Sequence, residues 1–300
     1  MNEIKLLEDN SEIVSYNFPS FPVYARKCRL SNYPNMTVIS HWHADLEFIV
    51  ILQGRMLYSI NGKNYLLEEG QSLFVNSNRL HFGHSIEGQD CYYLCVLFHP
   101  SLLYITEDIK ESYVEAICQG TSLPYLIFSS SNKLQNENIN KLIQIYEISQ
   151  EKALGFELAV LSHIYSLWLS IFENIKKIKS KEEPMSEKRR ETLYSMIGYI
   201  QKHYSEKIIL KDIAAAGSVC RSSCCDIFSS LLQMTPMEYL TNYRLEKSIG
   251  YLSNSKLSIT EIALLCGFNS SSYFTEIFHR EMGCTPTEYK IKFNNSALLS

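Results

Sequence analysis

The stretch SITEIALLCGFNSSSYFTEIFHREMGCTPTEYK, Ser258 to Lys290, decides the fold of the C-terminal half. Ser258 and Glu261 form an S-x-x-E capping box, so a helix should begin there and carry Ile262, Ala263 and Leu265. Cys266-Gly267 should end it, because glycine readily takes the left-handed conformation of a helix stop. A second helix is predicted over 270–280, with Tyr273, Phe274, Ile277 and Phe278 on its apolar side. A short helix, a turn containing Gly and a second helix with a buried aromatic face make a helix-turn-helix, whose second helix enters the DNA major groove.

The same pattern occurs earlier in the chain. Asp212-Ile213-Ala214 matches Glu261-Ile262-Ala263, Val219 matches Phe268, and Phe228 matches Phe278. Thr235-Pro236-Met237-Glu238-Tyr239 likewise matches Thr285-Pro286-Thr287-Glu288-Tyr289. The offset is 49 residues at Ile213/Ile262 and 50 at Thr235/Thr285, which places one extra residue in the second copy. Each T-P-x-E is itself a helix start, with Thr as cap and Pro at the first helical position. Two such units joined by a helix over 236–252 resemble the AraC/XylS family of bacterial transcription regulators, over roughly residues 190–292. The second copy holds the full pattern I-A-x-x-x-G-F-x(4)-Y-F-x(3)-F-x(4)-G-x-x-P-x-x-Y.

Composition bounds the rest. Three hundred residues suit two domains, and 46% apolar residues with net charge -4 exclude a disordered or strongly basic chain. Residues 1–184 hold 15 Lys/Arg against 21 Asp/Glu, and residues 185–300 hold 13 against 11, so net charge runs from -6 to +2. Non-specific affinity for phosphate should therefore be modest and salt-sensitive. Nine cysteines without a C-x-x-C pair point to a reduced, cytoplasmic protein. No signal peptide is expected in residues 1–18, and the apolar run 158–172 is broken by Ser162, His163, Ser166 and Ser170, so no membrane span is expected.

In the N-terminal half, residues 13–29 with Pro19 and Pro22 read as an arm or edge strand. From Thr37 the period drops to two, predicting strands over 37–43, 46–52, 56–60, 63–67, 71–75 and 92–98, with turns at Gln53-Gly54, Asn61-Gly62 and Glu69-Gly70. The fold class follows: α+β, an antiparallel jelly-roll or barrel with a helical connector, then an all-α double helix-turn-helix. The expected divisions are a barrel at 1–132, a connector at 133–180, a linker at 181–192 and a DNA-binding domain at 193–292.

The barrel carries H-x-H-x(3)-E-x(6)-G at His41, His43, Glu47 and Gly54, and a further Gly70 leads to Asn76 and His81. This resembles the first cupin motif closely and the second in part, with Asn76 and Asn78 where Pro and Gly are usual. In a metal-binding cupin the positions matching His41, His43, Glu47 and His81 are the ligands, and positions 41, 43 and 47 share strand parity. Three imidazoles and a carboxylate suit Zn, Fe, Ni or Mn. Sensor cupins in such regulators often keep the same pattern without a metal and bind a small organic effector, and buried histidines can also be hydrogen-bonded core residues. Tyr24, Trp42, Phe48, Tyr58, Phe74 and Phe82 are candidate pocket or core aromatics.

Two helices should follow the polar break Ser129–Asn132, over 136–150 and 154–178. In the second, Leu154, Leu158, Leu161, Tyr165, Trp168, Phe172 and Ile175 alternate at spacings of four and three, an a/d seam. Val160, Ile164, Leu167 and Ile171 form a stripe beside it. One stripe can cover the barrel and the other a second copy, which predicts a homodimer, whereas a wholly buried helix would put both faces in its own core. The run 176–190, with ten charged residues in fifteen, reads as a linker.

On the recognition helices, Arg221, Ser222 and Cys225 in the first and Ser271, Ser272 and Thr275 in the second are the candidate DNA contacts, with hydroxyls and a Thr methyl suited to base edges. Four positions depart from the family pattern. Asp226 and Glu276 stand where Arg or Lys is usual, Gln233 where Gly is usual, and Cys220 where a Ser or Thr cap is usual. Taken together the residues imply a DNA-binding transcription regulator, not an enzyme, controlled by a small molecule in the barrel. Its expected partners are promoter duplex, effector, a second copy and RNA polymerase, with no cofactor unless the barrel holds a divalent metal. The competing expectations are a metal-dependent cupin isomerase or dioxygenase with a DNA-binding tail, and a constitutive DNA-binding protein whose barrel only dimerises.

Overall fold

The computed structural model describes residues 5–6, 11–119, 123–175 and 187–297. The chain divides into two compact units, one holding Glu12–Leu30 and His41–Pro184, the other built on Met185–Ser300 with Ser31–Ser40. The expected run 176–190 falls largely outside the described residues, which resume at 187.

After two-residue strands β1 (Lys5–Leu6) and β2 (Glu12–Ile13), the first unit comprises β3 (Val23–Arg29), β4 (Leu46–Gln53), β5 (Arg55–Ile60), β6 (Lys63–Glu68), β7 (Gln71–Val75), β8 (His81–His84), β9 (Tyr92–Phe98) and β10 (Tyr125–Ser129). Five strands form one sheet in the order β10-β7-β4-β9-β3 and three form another in the order β6-β5-β8. Neighbours are antiparallel throughout both sheets. Asn61 and Gly62, with φ of 50° and 85°, make a two-residue turn that pairs Ile60 with Lys63. Positive φ at both turn residues matches the twist of the flanking strands, which fixes the register.

The segment predicted as a strand over 37–43 is not one. It forms no ladder among the described residues; near its end a single bridge has His41 N donating to His81 O at 3.2 Å and His81 N to His41 O at 3.0 Å. Burial does not alternate here, since the neighbours Ile39 and Ser40 and the neighbours Trp42 and His43 are all buried, so the apparent period of two did not mark a strand. β3 lies at the edge of its sheet, where Pro19 and Pro22 precede it. β8 and β10 had no clear signal: β8 is four residues with Gly83 inside it, and β10 pairs with β7 across some fifty residues of chain.

Between β9 and β10 lie short helices α1 (Glu107–Ile109) and α2 (Ala116–Cys118), flanking a π-helical turn. Asn132 then caps α3 (Lys133–Glu151), its Oδ1 accepting from the amides of Leu134 and Gln135. α4 (Phe156–Ile175) follows. Both helices share a core with the inward faces of β3, β4, β7 and β9, including Phe48, Phe74, Phe98, Ile139, Leu142, Val160, Ile164 and Leu167. The connector helices thus form a layer of the barrel unit.

The helical unit contains α5 (Glu187–His203), α6 (Leu210–Ala216), α7 (Arg221–Leu232), α8 (Pro236–Asn254), α9 (Ile259–Leu265), α10 (Ser271–Met282) and α11 (Pro286–Ala297). α6 and α9 are seven residues each and α7 and α10 twelve each, so the extra residue of the second copy sits in the turn before α10. The turn geometry repeats: Val219 N donates to Ala214 O at 3.0 Å and Phe268 N to Ala263 O at 2.9 Å. Gly267 takes φ 78°, and a Cβ there would lie 2.5 Å from the Tyr204 carbonyl oxygen. Arg244 on α8 donates Nε to that same carbonyl and Nη2 to Glu206 O, each at 2.7 Å, so the second turn, α8 and the end of α5 are locked together.

Candidate functional site

α7 and α10 are positioned by one physical rule applied twice. Each buries three-four spaced apolar residues: Cys224, Ile227, Phe228 and Leu231 in α7, and Phe274, Ile277 and Phe278 in α10. What remains on the outer face is short and polar. Arg221, Ser222 and Asp226 are exposed on α7 with Cys225 half-buried; Ser272 and Glu276 are exposed on α10 with Ser271 and Thr275 half-buried. Tyr273, expected on the apolar side, is instead 46% exposed, with its ring 6.3 Å from that of Phe268. It stands one residue before Phe274, about 100° round the helix from the core-facing direction.

The caps differ between copies. Ser270 Oγ accepts from Tyr273 N at 3.2 Å, whereas Cys220 makes no such bond at the head of α7. The Cys220 thiol contacts Ser222 and Ser223 hydroxyls, which draw its pKa down to about 7. Thr235 with Glu238, Ser258 with Glu261 and Thr285 with Glu288 each show the reciprocal capping bonds. Gln233 holds the left-handed position at the end of α7 at φ 57°, where Gly283 serves α10 at φ 70°.

In the barrel unit, His41, His43, Glu47 and His81 converge, each offering a ligand atom within 4.8 Å of the others. Strand parity does not bring positions 41, 43 and 47 together, since of these three only Glu47 lies inside a strand. His41 reaches the cluster through its bridge to His81, and His43 through a bend in which its Nδ1 lies 3.2 Å from Asp45 O. Glu47 Oε2 sits 3.1 Å from His43 Nε2 and 2.7 Å from His81 Nε2. Burial alone would push the Glu47 carboxyl up, but the His81 and His43 imidazoles outweigh it and hold the group well below the usual carboxylate range. Burial likewise works downward on His43, and Glu47 reverses it, leaving the imidazole above its ordinary value.

Three contributors had no motif to reveal them. Tyr58 of β5 donates to Glu47 Oε1 at 2.8 Å, joining the two sheets through the pocket. Cys95 Sγ lies 3.9 Å from the same oxygen, and burial together with Glu47 pushes its thiol well up. Glu12 Oε2 lies 3.7 Å from His41 Nε2, and Glu12 N donates to Trp42 O at 2.9 Å. Each arrives from another strand or segment, so only the folded chain brings it near the H-x-H-x(3)-E run.

Comparison with known proteins gives two family-model matches, an AraC-like ligand binding domain over residues 26–167 and a helix-turn-helix domain over residues 213–291. An HTH-type transcriptional regulator of Bacillus subtilis, YdeC, is 31% identical over 97% of this chain and 99% of its own length. The chain belongs to the AraC family of transcription regulators. The melibiose operon regulatory protein of Escherichia coli K12 is 23% identical over 86% of this chain and 85% of its own. The transcriptional activator RhaS of Klebsiella pneumoniae is 26% identical over 86% and 89%. An AraC-family regulator is a DNA-binding protein with a ligand-binding domain and not an enzyme, which removes the isomerase or dioxygenase alternative.

In this AraC-family regulator the residues expected to form a seam between two copies do not share one environment. Leu154 precedes α4, which starts at Phe156 after Gly155 at φ 83°, so it is not a helical seam position. Leu154 is fully exposed and Leu158 is 74% exposed. Trp168 is buried in the barrel core, with Nε1 donating to Tyr113 O at 2.9 Å, and is thus an intramolecular residue. Leu161, Tyr165 and Phe172 are half-buried against that core, and Tyr165 donates to Leu102 O at 2.7 Å. Val160, Ile164, Leu167 and Ile171 face fully inward. Among the described residues no helix is long and apolar enough to cross a membrane.

Proposed function

We propose that this regulator works in the cytoplasm as a homodimer whose α7 and α10 enter successive major grooves of promoter DNA, and that a small molecule bound at the His–Glu pocket shifts that grip. The carrying observation is the repetition: two lobes with the same turn bonds, buried residues at the matched positions Cys224/Phe274, Ile227/Ile277 and Phe228/Phe278, and polar residues on the matched outer positions. Two readers of the same architecture on one scaffold suit a target whose features recur every helical turn, roughly 34 Å apart. Arg221, Ser222, Cys225, Ser271, Ser272 and Thr275 are the groove-facing residues in this reading. RNA polymerase is the further partner through which bound DNA would be read out.

Asp226 and Glu276 make the reading testable, because a carboxylate near phosphate weakens a contact that a cation would make. Glu276→Lys should therefore tighten binding and steepen the plot of log K against log salt by about one unit, measured by fluorescence anisotropy on a promoter duplex. An unchanged slope would place Glu276 away from DNA. Dimerisation is carried by the exposed start of α4, so Leu158→Asp should convert a dimer to a monomer in sedimentation velocity. A wild-type protein that sediments as a monomer refutes that part.

The effector reading draws on the pocket's make-up, a buried polar cluster with Tyr58 and Cys95 beside it. Such a cluster stabilises less than an apolar core of equal volume, which favours a binding role over a packing role.

A further inference from the structure

The unit that carries the recognition helices also holds a segment from the far end of the sequence. Ser31–Ser40 leaves the barrel unit after Leu30, groups with the helices, and rejoins the barrel unit at His41. Pro34, Ile39 and Ser40 are buried, and the turn at Pro34–Met36 lies against both α8 and α10. α8 joins the two helix-turn-helix lobes and α10 is the second recognition helix. One short strap therefore touches the parts whose spacing a double reader depends on.

The strap is held under strain. Asn35 and Met36 both take left-handed backbone, with φ of 50° and 46°. Neighbouring non-glycine residues in that region persist only where their surroundings over-determine them. Inside the turn, Met36 N donates to Tyr33 O and Thr37 N to Pro34 O, each at 3.0 Å. At the strap's end the Tyr239 hydroxyl donates to Ser40 O at 3.2 Å, and Gln201 Nε2 donates to that hydroxyl at 3.3 Å. Tyr239 is completely buried, whereas Tyr289, its counterpart in the second copy, is half-buried. Both rings rest on the matching phenylalanine, with centroids 5.8 Å apart for Phe228–Tyr239 and 5.6 Å for Phe278–Tyr289.

Ser40 O and His41 N belong to one peptide group. Its carbonyl accepts from Tyr239, and its amide donates to His81 O at 3.2 Å, in the backbone of the His–Glu pocket. The division between the two units falls at this same peptide, Ser40 with the helices and His41 with the barrel. A peptide group is planar and moves as a rigid plate, so a tilt that follows His81 swings the carbonyl away from Tyr239. Hydrogen bonds weaken steeply off their axis, which lets a modest tilt undo this one.

We infer that Ser31–Ser40 is a coupling strap: a change at the pocket wall tilts the Ser40–His41 peptide, frees Ser40 O from Tyr239 and loosens the hold on α8 and α10. The strap is the two-state element, clamped or released, and whatever binds in the pocket acts by favouring one state. This role deepens the effector-pocket reading and rests on it for the event that starts the tilt.

The test needs neither effector nor DNA. Amide hydrogen exchange of the full chain, read by mass spectrometry, is compared for the wild type, Tyr239→Phe, Asn35→Pro and Glu47→Gln. Tyr239→Phe removes one hydroxyl, so exchange over 31–41 and over α10 should quicken about five-fold, the effect of losing one hydrogen bond. Asn35 is exposed and its φ is closed to proline, so Asn35→Pro should release the same two regions while sparing Tyr239. Glu47→Gln disturbs the pocket. It should quicken exchange over 31–41 and α10 on its own, and add nothing in a chain that already carries Tyr239→Phe.

An unchanged α10 in both strap variants overturns the inference, as does a Glu47→Gln effect on α10 that is the same with and without Tyr239. Quickening that spreads equally to α3 overturns it too, because the loss then belongs to the whole fold. Should Tyr239→Phe fail to fold, Asn35→Pro and Glu47→Gln in the wild-type background still decide. A thermal-shift screen of sugars and carboxylic acids on the same protein keeps the two readings apart. An α10 that answers Glu47→Gln with no stabilising compound removes the effector reading alone, and a stabilising compound with an unresponsive α10 removes the strap alone.

Discussion

Phe274→Ala should destabilise the helical unit by roughly 3–5 kcal/mol, the usual range for emptying a large aromatic site in a core. Phe274 is completely buried, with ring centroids 5.0 Å from Phe268 and 5.6 Å from Phe278, and the same cluster takes Leu245, Ile249 and Leu252 from α8. Few residues in the unit have so little freedom to collapse, because Phe268 is fixed by the turn and Phe278 is packed on Tyr289 at 5.6 Å. The readout can be made local. The chain's two tryptophans, Trp42 and Trp168, both belong to the barrel unit, so their fluorescence follows the barrel while far-UV circular dichroism is dominated by helices. Chemical denaturation of Phe274→Ala should lower the dichroism midpoint and leave the tryptophan midpoint in place. Tyr273→Ala, one residue away and largely exposed, should cost less than about 1 kcal/mol. Equal losses for the two would mean that α10 does not pack as described.

The second large effect belongs to the barrel. Glu47→Ala removes an acceptor of the Tyr58 hydroxyl and the buried carboxylate that faces the Nε2 atoms of His43 and His81. Breaking a buried charge pair from one side typically costs about 3–5 kcal/mol, far more than the pair contributes as a whole. The tryptophan midpoint should fall accordingly, with the dichroism of the helical unit little changed. Glu47→Gln keeps an oxygen for Tyr58 and should cost less than half as much, since one hydrogen bond is retained. If alanine and glutamine behave alike, the Tyr58 bond is not part of what holds the pocket.

The two halves of the molecule were unequally legible in the sequence. The helical unit announces itself because its signals are local: capping boxes at Ser258, Thr235 and Thr285, and apolar residues three and four apart. Each of those features is decided within one turn of helix. The repeat then doubles the information, since Phe228 and Phe278 support each other. Tyr273 shows the limit, because an aromatic beside the apolar stripe reads as part of it until packing decides.

The barrel depends on pairings distant in sequence. Strands with tight turns were legible, as at Asn61-Gly62, but β10 meets β7 after two short helices and β8 is too short to carry a period. The His–Glu set was legible as a motif, though the reason given for its convergence, a shared strand, was not the operative one. Cys95 and Glu12 were invisible as pocket residues because no spacing links them to Glu47, and Tyr58 was legible only as one of six candidate pocket or core aromatics. On α4 the heptad seam and the neighbouring stripe are equally apolar, and only the folded barrel assigns Trp168 inward and Leu158 outward.

The central claim is that one chain reads DNA with two copies of one module. Hydroxyl-radical footprinting of the full-length protein on a promoter fragment tests it most directly. The expected pattern for each chain is two protected patches on one face of the duplex, about 10 base pairs apart, with Ser272→Ala weakening one patch and Ser222→Ala the other. A single patch per chain, or both variants acting on the same patch, would contradict it.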